Sequence, residues 1–157
     1  ESADVRRPTP CSHQHADRRS VGRPARRSLS LWYLDTSAAL KLVVEEPESD
    51  ALAQVIDREQ PDLVGCWLLE TEMRRAAQRE EALTQRIVSE FLEGIGLYEV
   101  PSSLFREAGV LPGAHLRSLD ALHLAAAIRI GVDRVVTYDS RMGDSARSLG
   151  LNVFAPA

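Results

Sequence analysis

The chain has 157 residues, 44% of them apolar and 27% charged, with a formal net charge of −4. That length suffices for one domain with its own core, and no apolar run approaches the roughly 20 residues needed to span a bilayer. The charge is unevenly divided: residues 1–28 hold seven Arg against Glu1, Asp4 and Asp17, whereas residues 29–157 hold twelve Lys plus Arg against twenty acids. A basic tail therefore precedes a domain too acidic to bind nucleic acid by general electrostatics.

Residues 1–28 contain Pro8, Pro10 and Pro24, many Arg and almost no large apolar side chains. Such a segment cannot bury enough area to offset its ordering entropy, and it is predicted to be disordered or an extension foreign to the domain. Arg26-Arg27 and the residues after them faintly resemble a twin-arginine export signal, but Asp35 and Lys41 interrupt the apolar stretch such a signal needs. Cys11 and Cys66 are the only cysteines, which argues for reduced thiols and a cytoplasmic setting rather than a disulfide framework. Cys11, His13 and His15 lack a second ligand pair at zinc-site spacing.

From residue 30 strands and helices alternate. Leu31–Leu34 is a predicted strand and Thr36–Val44 a short helix, with a second helix after Pro47. Asp62–Cys66 reads as a strand, and Trp67–Glu80 and Ala82–Ile95 as helices by their apolar period. Leu97–Val100 is the next strand, Ser102–Gly109 a helix and Pro112-Gly113 a turn. Ser118 is the expected N-cap of a helix over Leu119–Ile130, which Gly131 ends. Arg134–Tyr138 is a strand, Ser140–Leu149 a helix and Asn152–Phe154 an edge strand. This alternation predicts a mostly parallel sheet covered on both faces over residues 30–157.

Four acids stand out against this frame. Asp35 and Asp139 each follow a predicted strand, where ligands bind in open α/β sheets. Both are also good helix caps. Glu70 and Glu72 lie two apart on one predicted helix and point about 200° apart, so one site takes only one of them. Glu72 borders the apolar stripe, whereas Glu70 stands four before Arg74, at surface-pair spacing. Asp120 falls in the first turn of an Ala-rich helix, favoured there by the helix dipole alone. His123 reads as a core or rim histidine. Carboxylates without His or Cys ligands suit a hard cation such as Mg²⁺ or Mn²⁺. Ser37 and Thr137 are placed to orient these carboxylates or an associated water.

The four segments 33–38, 69–76, 118–125 and 136–141, namely YLDTSA, LETEMRRA, SLDALHLA and VTYDSR, together resemble the PIN-domain ribonucleases, in particular the VapC-type toxins of toxin–antitoxin pairs. The resemblance runs from about Trp32 to Pro156 and also selects Glu72 over Glu70. Residues 1–28 have no counterpart in it. It implies a three-layer α/β/α sandwich with a short, mostly parallel sheet. It implies Mg²⁺-dependent endonucleolytic cleavage of RNA by a metal-activated water, with Asp35, Glu72, Asp120 and Asp139 as catalytic metal ligands and Ser37 and Thr137 behind them. A small antitoxin is the implied protein partner, and a homodimer the implied assembly. Lys41, Arg74, Arg75, Arg79 and Arg141 lie near these acids in sequence. Two alternatives remain. One is an aspartate-dependent phosphatase, which expects an Asp where Ser37 stands; the other is a degenerate binding module that has lost catalysis.

Overall fold

Alternation in the first strand sets the layers. In the computed structural model, which describes residues 30–157, strand β1 (Leu31–Leu34) sends Tyr33 to one face of the sheet and Trp32 and Leu34 to the other. All three are fully buried, as expected of a central parallel strand covered on both sides. On the Tyr33 face lie helices α5 (Ser102–Gly109), α6 (Ser118–Ile130) and α7 (Ser140–Ser148). On the Trp32 face lie α1 (Thr36–Lys41), α2 (Ser49–Glu59), α3 (Trp67–Ala76) and α4 (Gln85–Glu93). The protein is thus an α/β/α sandwich.

The sheet is completed by β2 (Asp62–Cys66), β3 (Gly96–Tyr98), β4 (Arg134–Val136) and β5 (Val153–Phe154). Its order is β3-β2-β1-β4-β5, and every pairing is parallel. The chain builds outward from β1 through β2 to β3, then returns to add β4 on the other side. β1 and β4 therefore flank the point where strand order reverses, and in open α/β sheets ligands bind in the crevice at the strands' carboxyl ends there. In register, Leu34 stands beside Val136, so the segments leaving the two strands emerge side by side.

Several element ends differ from the sequence expectation. The helix after β1 stops at Lys41, not Val44, and α3 stops at Ala76, not Glu80, with turns following both. The helix expected over Ala82–Ile95 contracts to Gln85–Glu93, because Thr84 caps it by accepting from the Ile87 amide at 3.2 Å. The third strand moves from Leu97–Val100 to Gly96–Tyr98, set by its pairing with β2. Ser118 is not the cap of α6. It is the first helical residue, and Arg117 occupies the cap position without a side-chain bond. The expected strand over Arg134–Tyr138 ends at Val136, since Thr137 and Tyr138 turn away to make the contacts described below. Gly131 ends α6 in the left-handed conformation, φ 75°, which glycine adopts without the penalty of a Cβ.

α6 carries seven consecutive buried residues, Ala121 to Ala127. A helix apolar on most sides is enclosed by its neighbours, and its small side chains allow close approach to the sheet. This positions the first turn of α6, with Asp120, beside the crevice. Among the described residues no helix is long and apolar enough to cross a membrane.

Candidate active site

Asp35 leaves β1 and becomes the N-cap of α1, its Oδ1 accepting from the Ala38 amide at 2.9 Å. The Ser37 hydroxyl donates to the same carboxylate at 2.7 Å and Thr137 Oγ1 donates to Oδ2 at 2.6 Å. Asp35 is only 5% exposed. Burial pushes its pKa up, against the opposing bonds from Thr137, Ser37 and Ala38 and the charge of His123. Ser37 Oγ also accepts from the Tyr138 amide at 2.8 Å, and Thr137 Oγ1 from the Asp139 amide at 3.1 Å. Two hydroxyls thus lace the turn after β1 to the turn after β4. Asp139 caps α7 by accepting from the Met142 amide at 2.9 Å.

Glu72 and Glu70 separate as the helical phase requires. Glu70 pairs with Arg74 at 2.8 Å on the surface of α3. Glu72 points inward, where its Oε2 accepts from the Thr36 hydroxyl and from His123 Nε2, the latter at 2.8 Å. Thr36 is the residue after Asp35, so this bond brings Glu72 to the same corner. Burial would raise the Glu72 pKa, but the hydrogen bond and charge of His123, aided by Thr36, lower it instead.

His123 is the residue whose contribution the sequence left unread. It is 2% exposed and lies three residues after Asp120, hence on the same face of α6. Its Nε2 faces Glu72, and its Nδ1 lies 2.8 Å from the Tyr33 hydroxyl. The Tyr33 hydroxyl in turn lies 3.2 Å from Cys66 Sγ. Burial disfavours the imidazolium, yet Cys66 and Glu72 together outweigh it and raise His123 to about 10. The Glu72 carboxylate is the stronger partner, because Cys66 Sγ stands 4.0 Å from the ring nitrogen. The i, i+3 spacing from Asp120 is the one sequence signal that could have pointed to His123.

Asp120 is half-buried in the first turn of α6. Burial and the charge of Asp139 raise its pKa, against His123, Arg117 and Arg141. Hydrogen bonds tie Asp35 to the turn of Asp139 through Thr137 and bring Glu72 to Thr36, while Asp120 lies near enough for the charges of Asp139 and His123 to act on it.

A sequence model of the PIN domain matches residues 32–147. This chain belongs to the PIN-domain family. Among curated relatives, Ribonuclease VapC46 of Mycobacterium tuberculosis is 42% identical over 127 residues, covering 80% of this chain and 97% of that protein. Ribonuclease VapC35 of the same species is 37% identical over 129 residues, 79% of this chain and 96% of that protein. Among solved structures, VapBC2 from Rickettsia felis, bound to a fragment of its promoter DNA, superposes with a TM-score of 0.65 at 14% identity, over 81% of this chain and 99% of that one. The Mycobacterium tuberculosis toxin VapC20, which cleaves the sarcin–ricin loop, gives 0.60 at 14% identity, over 73% and 94% of the two chains. At such identity the structural likeness speaks for the fold alone.

Two features of this PIN domain refine the sequence reading. Among the described residues no three His, Cys, Asp or Glu side chains converge tightly enough to grip a metal ion directly. The nearby cations also divide. Lys41 is held by Glu46 and Glu48 and lies over the Tyr138 ring, and Arg74 is held by Glu70. Among the described residues Arg75, Arg79, Arg117 and Arg141 form no ion pair. Arg117, three residues before Asp120 at the start of α6, is a further cation whose charge acts on that acid.

Proposed function

We propose that this PIN domain is a divalent-metal-dependent endoribonuclease, with Mg²⁺ as its ion, that acts as the toxin of a toxin–antitoxin pair. Supporting this reading is Asp35, buried where β1 and β4 lie side by side so that its ionised form is disfavoured, and bonded through Thr137 to the turn that carries Asp139, while Glu72 is bonded to Thr36, the next residue along. Curated relatives named ribonucleases, 42% and 37% identical over nearly their whole length, support the same reading.

The donor set fits a hard cation. Asp35, Glu72, Asp120 and Asp139 offer only oxygen, and burial, joined at Asp120 by the charge of Asp139, raises the pKa of Asp35 and Asp120, an effect that a bound cation would oppose. Since no three such side chains converge tightly among the described residues, an ion that keeps several waters and meets few carboxylates directly, as Mg²⁺ does, suits them. When bound, such an ion would let the acids remain ionised together and would polarise a phosphodiester and the water attacking it. The chain's own residues supply orientation. Ser37 and Thr137 fix the Asp35 carboxylate, and Thr36 and His123 both fix Glu72 through its Oε2. Arg117 and Arg141 place positive charge where an incoming phosphate passes the acids.

The partner in this reading is a small antitoxin, supported by solved relatives that are toxin–antitoxin complexes such as VapBC2. A homodimer is part of the same proposal. Phe105, Val110 and Leu119 are exposed on the α5–α6 layer and offer an apolar surface for it.

The decisive test is cleavage of total RNA by purified protein with Mg²⁺, with Mn²⁺ and with EDTA. Cleavage with either ion and none in EDTA is expected, with Asp35→Asn inactive. Full activity in EDTA, or an Asp35→Asn protein as fast as the parent, refutes the metal-site reading. Harmless expression of an active nuclease without a partner refutes the toxin role.

A further inference from the structure

Beside the acids lies a second feature that the chemistry above does not use. An open cleft of about 600 Å³ runs between the loop at residues 112–115 and one face of α7. Its α7 wall is Ser140, Arg141, Asp144, Ser145 and Ser148, and His115 stands on the opposite lip. These α7 positions share a face by helical spacing. The wall begins at Ser140, the residue after Asp139, at the start of α7.

The α7 wall carries polar groups, and Pro112, Gly113 and Ala114 make the loop side largely apolar. Arg141 is exposed and free of any ion pair among the described residues, and so is His115. The one acid, Asp144, is neutralised by Arg147 at 3.0 Å. The Ser148 hydroxyl is engaged with the Asp144 carbonyl at 2.9 Å, which leaves its oxygen as an acceptor. The volume falls in the range of sites for small organic ligands, roughly 300–1,000 Å³. A planar guanidinium matches phosphate geometry. An unpaired imidazole offers a stacking face, and hydroxyls read base edges and the ribose 2′-OH. In a domain with an excess of acids, a loose Arg beside Asp139 is where an RNA backbone finds local positive charge.

We propose that this cleft seats the nucleotide next to the scissile phosphate of a single-stranded RNA, with Arg141 on its phosphate and His115 and the α7 hydroxyls on its base and sugar. The inference rests on the ribonuclease reading and adds to it a subsite. The charge that Arg141 and Arg117 place on Asp120 fits the same path, since a strand crossing the acids would pass both.

The test separates binding from cleavage. In the Asp35→Asn full-length protein, affinity for a short fluorescein-labelled single-stranded RNA of mixed sequence is measured by anisotropy over a salt series. Arg141→Gln should weaken binding about tenfold or more and make the log–log salt slope shallower by about 0.7, the value of one single-strand phosphate contact. Ser145→Trp, which fills the cleft, should weaken binding comparably while leaving the slope nearly unchanged. Arg106→Gln, an equal charge loss at an exposed α5 position, should change neither. Melting temperatures confirm that each variant is folded. If Ser145→Trp fails that check, Ser148→Trp at an exposed position fills the same cleft. Parental affinity and slope for Arg141→Gln, or parental affinity for the Trp variant, overturns the proposal. So does a variant that keeps RNA affinity but loses binding to the co-encoded partner, which would make the cleft a protein site. If the wild-type protein cleaves no RNA, the proposed function falls, while the anisotropy series still decides the cleft.

Discussion

Replacing His123 with Leu tests how the site is held together. Leu fills similar space among apolar neighbours, so the loss is polar. It removes the Nε2 contact to Glu72 at 2.8 Å and the Nδ1 partner of the Tyr33 hydroxyl. Removing one member of a buried charged pair costs about 3–5 kcal/mol, because the survivor is left uncompensated. The Glu72 side chain remains 23% exposed and keeps Thr36, which places the loss at the lower end, about 3 kcal/mol. For a domain of this size that corresponds to a melting temperature lower by roughly 10 °C. A double-mutant cycle with Glu72→Gln isolates the pair. Neutralising Glu72 in the His123→Leu background should recover about 1.5 kcal/mol, the scale of a hydrogen bond to a charged group. His123→Gln, which can still present an N–H to Glu72, should lose less than His123→Leu. Circular-dichroism melts of the four proteins of the cycle, without added metal and at neutral pH, measure all of this. A His123→Leu protein melting within about 2 °C of wild type, or a Glu72→Gln change that adds a further loss, would refute the coupling.

Three further outcomes follow from the same geometry. Glu72→Gln should cut RNA turnover by orders of magnitude, since charge partners in metal-assisted catalysis are worth several kcal/mol. Glu70→Gln should cut it less than tenfold, having only a surface pair of about 0.3–0.5 kcal/mol to lose; rates at saturating metal compare them, and a dead Glu70→Gln enzyme would show the reverse assignment. Asp35→Asn should raise the melting temperature of the metal-free protein, because burial holds the Asp35 pKa above 3.8 and the ionised form burdens the fold at neutral pH; a clear drop would contradict this. The Glu72–His123 pair also sets a pH profile. His123 is raised to about 10 from 6.5, so its contribution is full below about 6.5 and is lost as pH rises through about 10. Glu72 is lowered from 4.5, so its contribution is present above that value and is lost as pH falls through its folded pKa. Melting temperature should decline from about pH 6.5 toward 10, and His123→Leu should flatten that decline; an equally steep decline in the variant would assign it to other groups.

The sequence by itself determined what depends on near neighbours. Leu31–Leu34 alternates between two buried faces, and Asp35 and Asp139 cap the helices that follow their strands, because strand pleat and capping act over a few residues. The phase of Glu72 against Glu70 was legible for the same reason, since side-chain direction on a helix follows from spacing alone. Element ends were less legible. Whether a helix stops at Ala76 or Glu80, or a strand at Val136 or Tyr138, depends on what the next residues find to bond, as Thr137 finds Asp35. Only the tertiary structure set β4 beside β1, so that residues 35 and 137 meet. Only it carried His123 to Glu72. Such contacts join side chains distant in sequence and are decided by how whole layers pack, which no local period encodes.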